Sequence, residues 1–340
     1  MVHAVTPSPG RAVTRADVAR YAGVSTAVVS YVVNNGPKPV APATAARVRE
    51  AIELLDYRPN VNAQALRRGT SEMIGVVLSD PGNPYFTEFA AAIAAEAFEY
   101  GHALMMATAR ASGEIEASLI DDLVRRRVDG LVVASVFGRP DLALSRTSRS
   151  AHIVWIDAWG GIPGYATVGT DGRQGARTAV EHLVAVHGHS SVGLLIGRAG
   201  SGSADPRELG WQEALRAAGL HDGPIVREDW SREGGYRGGQ RLLEARNRPT
   251  AVFACSDLQA IGLLRAAHER GLRIPEDLAV VAFDGTKESE YCWPPLTVIA
   301  QPVQEMARTA VRLVLDDSRP TTFAQFAGTL LARRSCGCGA

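Results

Sequence analysis

The chain has 340 residues, of which 46% are hydrophobic, and its 36 Lys and Arg balance its 36 Asp and Glu. That apolar fraction can fill packed cores, which excludes a wholly disordered chain, and the length predicts two or three domains. No apolar run approaches the roughly 18–20 residues of a membrane helix. The first residues lack the apolar stretch of a secretion signal, and the four cysteines form no disulfide framework. We therefore expect a cytoplasmic protein without a membrane partner.

The charge is unevenly distributed along the chain. Residues 1–70 carry nine Lys and Arg against four Asp and Glu, a net charge of +5, and the remainder carries −5. A small basic module attached to a mildly acidic body favours a polyanionic partner for the module alone. A solvated charged face would give the same count, so the charge by itself leaves both interpretations open.

Three short helices and no strand are predicted in residues 13–58. Thr14 precedes Asp17 at the spacing of a capping box, which predicts the start of the first helix. Ser25 can cap the second helix, and Pro42 suits the first turn of the third. The predicted helices span residues 15–21, 26–33 and 42–57. The apolar side chains expected to pack between them are Ala19, Val24, Val29, Val32, Ala46, Val48, Ile52 and Leu55.

The first two helices have the pattern of a DNA-reading motif. Gly23 permits the positive φ that a sharp turn between two helices needs. Four side chains then face outward near the start of the second helix: Thr26, Ala27, Ser30 and Tyr31. A helix-turn-helix places its base contacts in the major groove from such positions. Any small three-helix domain shares part of this pattern, which therefore does not decide for DNA binding by itself.

The pattern changes at residue 73, where apolar runs begin to alternate with helical stretches. The runs predicted as strands are IGVVL, HALMMATA, GLVVAS, HIVWID, SVGLLIG, IVRED, AVFACS and LAVVAFDG. The predicted helices between them span residues 86–100, 114–127, 173–187, 206–219, 233–246 and 258–271. This alternation is typical of parallel α/β sheets. The units are too many for one compact sheet, so we expect two sheets with a ligand-binding cleft at the carboxyl ends of their strands.

Several motifs occur in a specific order. DVARYAGVS, VVSYVVN, DYRPN, AQAL and IGVVL follow one another at the distances found in the LacI/GalR family of transcriptional regulators, which the chain resembles from residue 13 to about 335. The resemblance implies an all-α helix-turn-helix head joined by a hinge helix to a two-lobed α/β body with parallel sheets, like that of periplasmic binding proteins. The implied parts are a flexible tail at 1–12, the head at 13–58, the hinge at 59–70 and the effector-binding and dimerisation body at 71–335. The implied crossovers between the lobes lie near residues 171, 301 and 330.

The resemblance also implies a set of DNA-contacting residues. They are Thr14, Ser25, Thr26, Ala27, Ser30, Tyr31, Asn34, Asn62, Ala63, Leu66 and Arg67. Leu66 matches a leucine that paired hinge helices insert into the minor groove, where apolar wedges kink DNA. Tyr31 stands where the family usually has Arg, and Ala41 replaces the usual Ser before Pro42. Because Arg can donate two hydrogen bonds to guanine and Tyr only one, the usual operator sequence is not expected.

A second implied set lines the effector cleft. It comprises Ser79, Tyr85, Phe86, Asp171, Arg207, Trp230, Ser256, Asp257 and Asp284. Arg207 can fork onto paired hydroxyls or a carboxylate, Trp230 can stack on a ligand ring, and Asp284 can accept from hydroxyls. This combination favours a sugar or a related polyol over an apolar ligand. Ser256 replaces a family Asn or Asp, and Asp257 is the candidate to act in its place.

No motif of catalysis, metal binding or cofactor binding is predicted. The chain has no Walker loop, no nucleophile elbow and no HExxH pair. His187 and His189 form an H-x-H pair, for which we expect a structural or solvent-exposed role. Cys336 and Cys338 form a C-x-C pair that could bind a metal or oxidise, but the favoured expectation is a frayed tail. We therefore expect no catalytic residue, no metal and no cofactor.

The sequence thus predicts a ligand-responsive, sequence-specific DNA-binding repressor. We expect a homodimer that binds a near-palindromic, double-stranded DNA operator and a small-molecule effector, with a sugar as the favoured class. One alternative is a cytoplasmic sugar-binding sensor without a DNA-binding role, against which the basic segment and Leu66 argue. Another is a sugar-active enzyme, for which Asp80, Asp157 and Asp284 are scattered acids that no motif orders.

Overall fold

The structure is a computed structural model that describes residues 13–34, 36, 38–58, 69–109, 112–135, 144–149, 151–158, 160–198 and 205–339. The chain divides into two compact units, residues 1–71 and residues 72–340. None of the described helices is long and apolar enough to span a membrane.

The first unit contains three helices around a small apolar core. They are α1 (Arg15–Ala22), α2 (Thr26–Val33) and α3 (Pro42–Leu54). Val18 and Val29 are fully buried between them. α3 ends at Leu54 rather than near Tyr57, because the backbone of Asp56 takes a left-handed φ of 44° that a helix cannot continue through.

The buried face of α3 differs from the prediction. Ala45, Val48 and Ala51 are buried, whereas Ala46 is exposed. Ala46 and Val48 are two positions apart, and at about 100° per residue their side chains point in nearly opposite directions. Steps of three residues, as from Ala45 to Val48 and on to Ala51, keep side chains on one face. The prediction of Ala46 as a core residue was therefore wrong.

The second unit contains two six-stranded sheets. The strands of the first sheet are β1 (Met73–Leu78), β2 (Ala103–Thr108), β3 (Gly130–Ala134), β4 (Ile153–Ile156), β5 (Ala166–Thr170) and β11 (Phe323–Phe326). Those of the second are β6 (Val192–Gly197), β7 (Ile225–Glu228), β8 (Ala251–Ala254), β9 (Ala279–Asp284), β10 (Thr297–Ala300) and β12 (Thr329–Leu331). Their spatial orders are β11-β5-β4-β3-β1-β2 and β12-β10-β9-β8-β6-β7. The alternating α/β architecture and the two sheets are confirmed.

Helices pack against both sheets. They are α4 (Pro84–Glu99), α5 (Gly113–Arg125), α6 (Arg146–Arg149), α7 (Gly172–Glu181), α8 (Pro206–Ala217), α9 (Arg232–Glu244), α10 (Asp257–Glu269), α11 (Glu288–Tyr291) and α12 (Val303–Val314). α7 continues as a π-helical turn over His182–Val186, and a 3₁₀ turn follows β12 at Arg334–Cys336. α4 and α12 bury apolar side chains against the first sheet, and α7 and α8 bury theirs against the second.

The chain passes between the two sheets three times. The passages lie between Thr170 and Gly172, between Ala300 and Val303, and between Phe326 and Thr329. The third comes slightly before the expected position near 330, because Leu330 already pairs with Ile299 of β10. That pairing is antiparallel, whereas the other described strand pairs are parallel as predicted. All three passages leave from the carboxyl ends of strands, where ligands of such folds bind.

Candidate functional sites: the helical unit and the cleft

A glycine turn fixes the position of α2 relative to α1. Gly23 has a left-handed φ of 65°, and Val24 donates its backbone N–H to the Ala19 carbonyl at 2.9 Å. A Cβ at Gly23 would meet no atom, so the backbone conformation itself is what favours glycine here. The Ser25 hydroxyl then accepts from the Val28 N–H at 3.4 Å and caps α2.

The side chains predicted to contact DNA from α2 have different surroundings. Thr26 and Ala27 are exposed. The Asn34 amide donates to the Ser30 carbonyl at 2.8 Å, which holds these two residues together at the end of the helix. The Tyr31 ring is half-buried beside Gly36. A Cβ at residue 36 would lie 2.4 Å from the Tyr31 Cδ1, so glycine makes room for this ring.

Of the five remaining residues predicted to contact DNA, one lies in the described part of the chain and four lie outside it. Thr14 donates its backbone N–H and its hydroxyl to the Asp17 carboxylate, at 2.9 Å and 2.6 Å. Thr14 is therefore the N-cap of α1, as the capping spacing predicted. The others lie outside the described residues, as does most of the predicted hinge helix; they are Asn62, Ala63, Leu66 and Arg67.

Arg207 is the central charge of the cleft in the second unit. Its Nε and Nη2 donate to the two carboxylate oxygens of Asp205 at 3.0 Å and 2.8 Å, and its Nη1 donates to the Cys255 carbonyl at 3.0 Å. Asp205 also accepts the Arg207 backbone N–H and so caps α8. Burial acts to lower the pKa of Arg207, but the charge and hydrogen bonds of Asp205 outweigh it and raise the pKa. The guanidinium is thus a fixed, permanent cation.

The indole of Trp230 covers this guanidinium. The Arg207 Cζ lies 4.5 Å from the centre of the Trp230 ring and 5.5 Å from that of Phe283. Gly197 ends β6 directly beneath the indole, where a Cβ would lie 1.9 Å from the ring. Glycine at position 197 therefore lets Trp230 lie over the end of the sheet. The structure brings together the Arg and Trp that the sequence predicted for the cleft.

The first sheet contributes a Tyr and an Asp to the opposite wall. The Tyr85 hydroxyl donates to Asp157 Oδ2 at 2.6 Å. Burial, followed by the charge of Asp157, raises the pKa of Tyr85 well above its ordinary value, so this hydroxyl stays protonated. Burial also raises the pKa of Asp157, while the Tyr85 hydrogen bond and the more distant charge of Arg207 lower it.

Asp284 connects the cleft to the passages between the sheets. It ends β9 with a φ of 110°, and its Oδ1 accepts from the Gln301 amide at 2.8 Å. The Thr170 hydroxyl donates to Gln301 Oε1 at 2.7 Å. Because Thr170 ends β5 at the first passage and Gln301 lies in the second, these hydrogen bonds tie both passages to Asp284. Burial and the charge of Asp257 raise the pKa of Asp284 well above its ordinary value.

Three of the other predicted cleft residues have internal partners. The Ser79 hydroxyl donates to the Ala134 carbonyl at 2.7 Å. Asp171 and Ser256 accept backbone N–H groups in the first turns of α7 and α10 and so cap these helices. Their side chains start the helices that border the cleft, which is the structural role a cap performs.

Asp257 and Phe86 also support the cleft from behind its surface. The Asp257 carboxylate accepts the Thr286 N–H at 2.7 Å and the Thr286 hydroxyl at 2.8 Å. Burial raises the pKa of Asp257 to about 7, although the hydrogen bonds from Thr286 lower it. The rings of Phe86 and Tyr85 pack with their centres 5.3 Å apart.

The sequence interpretation missed several residues of this site. It did not single out Asp205 or Gln301, and it placed Asp157 only among scattered acids. Asp205 stands before Pro206 in the pattern of a helix N-cap, which was the signal that could have placed it beside Arg207. Gln301 had no comparable signal, because its partner Thr170 is 131 positions away in the chain.

Known proteins are similar to this chain in sequence and structure. Residues 14–60 match the family described as bacterial regulatory proteins, lacI family, and residues 180–336 match the periplasmic binding protein-like domain. The HTH-type transcriptional repressor PurR of Pasteurella multocida is 32% identical over 308 residues, which cover 88% of this chain and 90% of that protein. The Lac repressor dimer bound to operator and the anti-inducer ONPF is 30% identical, with a TM-score of 0.87 and coverage of 96% and 99%. The complex of the transcriptional regulator CelR with cellobiose is 28% identical, with a TM-score of 0.70 and coverage of 95% and 99%.

Proposed function

The chain belongs to the lacI family of bacterial regulatory proteins, and we propose that it is a repressor whose affinity for operator DNA changes when a sugar binds in the cleft. The family establishes a ligand-responsive, DNA-binding transcriptional regulator. The sugar, the symmetric dimer and the near-palindromic operator are our proposals, and the following observations support them.

DNA binding is a property of the first unit. Its capped α2 exposes Thr26 and Ala27 near the helix start, where a helix-turn-helix reads base edges in the major groove. The net charge of +5 in residues 1–70 suits contacts to phosphates, whose contribution to affinity falls steeply with salt. The similar Lac repressor binds operator as a dimer. We therefore infer a homodimer that binds a near-palindromic, double-stranded operator in the cytoplasm.

The observation that carries the effector proposal is Arg207 stacked on Trp230, with Asp157 and Asp284 near enough for its charge to lower their pKa values. A guanidinium donates to hydroxyl oxygens, carboxylates accept from hydroxyls, and an indole covers the apolar face of a sugar ring. An apolar ligand would desolvate these charges without giving them hydrogen bonds, which costs several kcal/mol. The cellobiose in the similar CelR complex also supports a sugar.

The hydrogen bonds that join Asp284 to Gln301 and Gln301 to Thr170 provide a route by which a bound effector changes the orientation of the lobes. A hydroxyl that binds Asp284 competes with or reinforces its bond to Gln301, which in turn holds Thr170. Both partners lie where the chain passes between the sheets, so their rearrangement changes the orientation of one lobe relative to the other. A ligand shifts such an equilibrium only by its difference in affinity for the two states.

The alternative of a sugar-binding sensor without a DNA-binding role is not favoured. Residues 14–60 match the lacI family, and the similar curated proteins are transcriptional repressors. The same relatives are not enzymes, which supports a non-catalytic function. Asp157 and Asp284 accept hydrogen bonds from Tyr85 and Gln301, which accounts for these acids without catalysis.

Two assays test the proposal. A gel shift on a pool of palindromic duplexes should show binding that weakens strongly as salt rises, and binding to no duplex at low ionic strength would contradict a DNA-binding role. A thermal-shift screen of sugars, sugar phosphates and purines should show stabilisation by a sugar, because a ligand of the folded state raises its stability. Stabilisation by purines alone would overturn the sugar proposal and leave the DNA-binding role standing.

A further inference from the structure

Two histidines and two cysteines converge at the end of the chain, away from the cleft. We name His182, His187, Cys336 and Cys338 the C-terminal cluster. His182 Nε2 lies 3.2 Å from His187 Nε2, 3.4 Å from Cys336 Sγ and 3.5 Å from Cys338 Sγ. Cys338 Sγ lies 3.4 Å from His187 Nε2. All four atoms are within 4.8 Å of one another, and this is the one such group of potential metal ligands in the described part of the chain.

Four of the six separations match those of a tetrahedral metal site, and the other two are within 4.8 Å. Zinc binds imidazole nitrogen at about 2.05 Å and thiolate sulfur at about 2.3 Å, so the corners of its tetrahedron lie roughly 3.3 Å apart for two nitrogens and roughly 3.6 Å apart for nitrogen and sulfur. The observed distances of 3.2 Å between nitrogens and 3.4–3.5 Å between nitrogen and sulfur agree within about 0.2 Å. Both thiols are free rather than joined in a disulfide.

A local distortion of the helix brings the two histidines together. In a regular α-helix, residues five apart point in directions about 140° apart, so His182 and His187 would diverge. The chain instead forms a π-helical turn over His182–Val186, with His187 at its C-cap. The wider turn brings positions five apart toward the same side of the helix. Such turns are rare, and they occur often at functional sites.

A glycine brings the two cysteines to the histidines. Gly337 has a φ of 106°, which lets the chain reverse between Cys336 and Cys338. A Cβ there would lie 3.3 Å from the His187 ring, so a larger residue would also crowd the cluster. Cys336 is 2% exposed and packs in the core of the second sheet, which corrects the expectation of a frayed tail.

The segment before the cluster is anchored as well. The Ser335 hydroxyl donates to the Val280 carbonyl at 2.6 Å and accepts the Thr297 N–H at 2.8 Å. The Thr297 hydroxyl lies 3.0 Å from Cys336 Sγ, at a distance suited to a hydrogen bond that supports a thiolate ligand. The Cys336 sulfur is therefore held in place by the fold.

We propose that the C-terminal cluster binds one zinc ion as a structural cross-link. Two imidazoles and two thiolates are a known ligand set of structural zinc sites and suit this borderline-soft cation. All four ligands come from the protein, so the ion has no open position for water or substrate and performs no catalysis. The ion joins the helix that follows the first passage to the segment that follows the third. The H-x-H neighbour His189 is not part of the site, since its Nδ1 lies 3.0 Å from the Thr250 hydroxyl.

Metal analysis of the full-length protein, purified without a histidine tag or chelator, tests the proposal. We expect about one zinc ion per chain by inductively coupled plasma mass spectrometry. His187→Asn and Cys338→Ser should reduce this below roughly one tenth, because each removes a ligand. His189→Asn and Cys292→Ser are the matched controls and should keep the metal. Equal loss in the controls, or wild-type protein that binds no metal after reduction of its thiols, would overturn the proposal.

A second measurement uses only the wild-type chain and so does not depend on how the variants fold. Apoprotein prepared with a chelator should melt at a lower temperature and recover on addition of equimolar zinc. Cobalt(II) added to the apoprotein should give the thiolate charge-transfer and tetrahedral visible bands, and zinc should abolish them. A reduced apoprotein that gives neither the bands nor the recovery contradicts the site.

Discussion

Replacing Arg207 by Met removes one half of a buried ion pair. The Arg207 side chain is 13% exposed and that of Asp205 is 8% exposed, and two hydrogen bonds join them. Arg207→Met leaves the Asp205 carboxylate buried without its cation, which costs about 3–5 kcal/mol. For a unit of this size we expect the melting temperature to fall by roughly 10 °C.

The double variant separates the lost pair from the stranded charge. Asp205→Asn keeps the cap of α8, because Asn also accepts the Arg207 N–H well at an N-cap. In Asp205→Asn/Arg207→Met no charge is left buried at this position, so the destabilisation should be smaller than that of Arg207→Met alone, at about 1–2 kcal/mol. Urea unfolding followed by tryptophan fluorescence measures the four proteins. The double variant should remain folded and yet no longer be stabilised by the sugar.

These four proteins form a double-mutant cycle, which also has an outcome that would contradict the pairing of Asp205 with Arg207. Effects of the two substitutions that add within about 0.5 kcal/mol would mean that Asp205 and Arg207 do not depend on each other. The assignment of Asp205 as the residue that positions Arg207 in the cleft would then be wrong.

Two further predictions concern single buried contacts. Burial raises the pKa of Glu116 to about 7 from 4.5, although the Ser135 hydroxyl lowers it, so the folded state keeps a proton that the unfolded state releases as pH rises through this range. The wild type should therefore lose about 3 kcal/mol of stability relative to Glu116→Gln between roughly pH 4.5 and pH 8, and parallel pH curves in urea unfolding would contradict this. Gly197→Ala places a methyl group 1.9 Å from the Trp230 ring, so the indole should leave Arg207 and tryptophan emission should change. In a Trp230→Phe background the same substitution should leave the emission unchanged, and a change there would assign the effect to another tryptophan.

The sequence predicted the strands whose apolar runs are continuous and long. IGVVL became β1 and LAVVAFDG contains β9. β5, β10, β11 and β12 were not predicted. A glycine interrupts the apolar run of β5, and β11 and β12 are short edge strands with exposed side chains. The amphipathic helix α12 was also not singled out, although Met306, Ala310 and Val314 recur at helical spacing on its buried face.

The site residues that the sequence revealed differ from those it missed in how far along the chain their partners lie. Arg207 and Trp230 were found, because residue type and motif position suffice to suggest a ligand contact. The partners that hold the site could not be found in the same way, because Tyr85 meets Asp157 across 72 positions and Cys338 meets His182 across 156. Such pairs depend on strand order and on the three passages between the sheets, which no local pattern records.

The most direct measurement is the affinity for one selected operator duplex, by fluorescence anisotropy, with and without the sugar that raises the melting temperature. We predict that the sugar changes the dissociation constant by a factor between about 5 and 150, and that the operator changes the affinity for the sugar by the same factor. A sugar that binds the wild type but not the Asp205→Asn/Arg207→Met variant, and leaves the operator affinity of the wild type unchanged, would contradict control of DNA binding from the cleft.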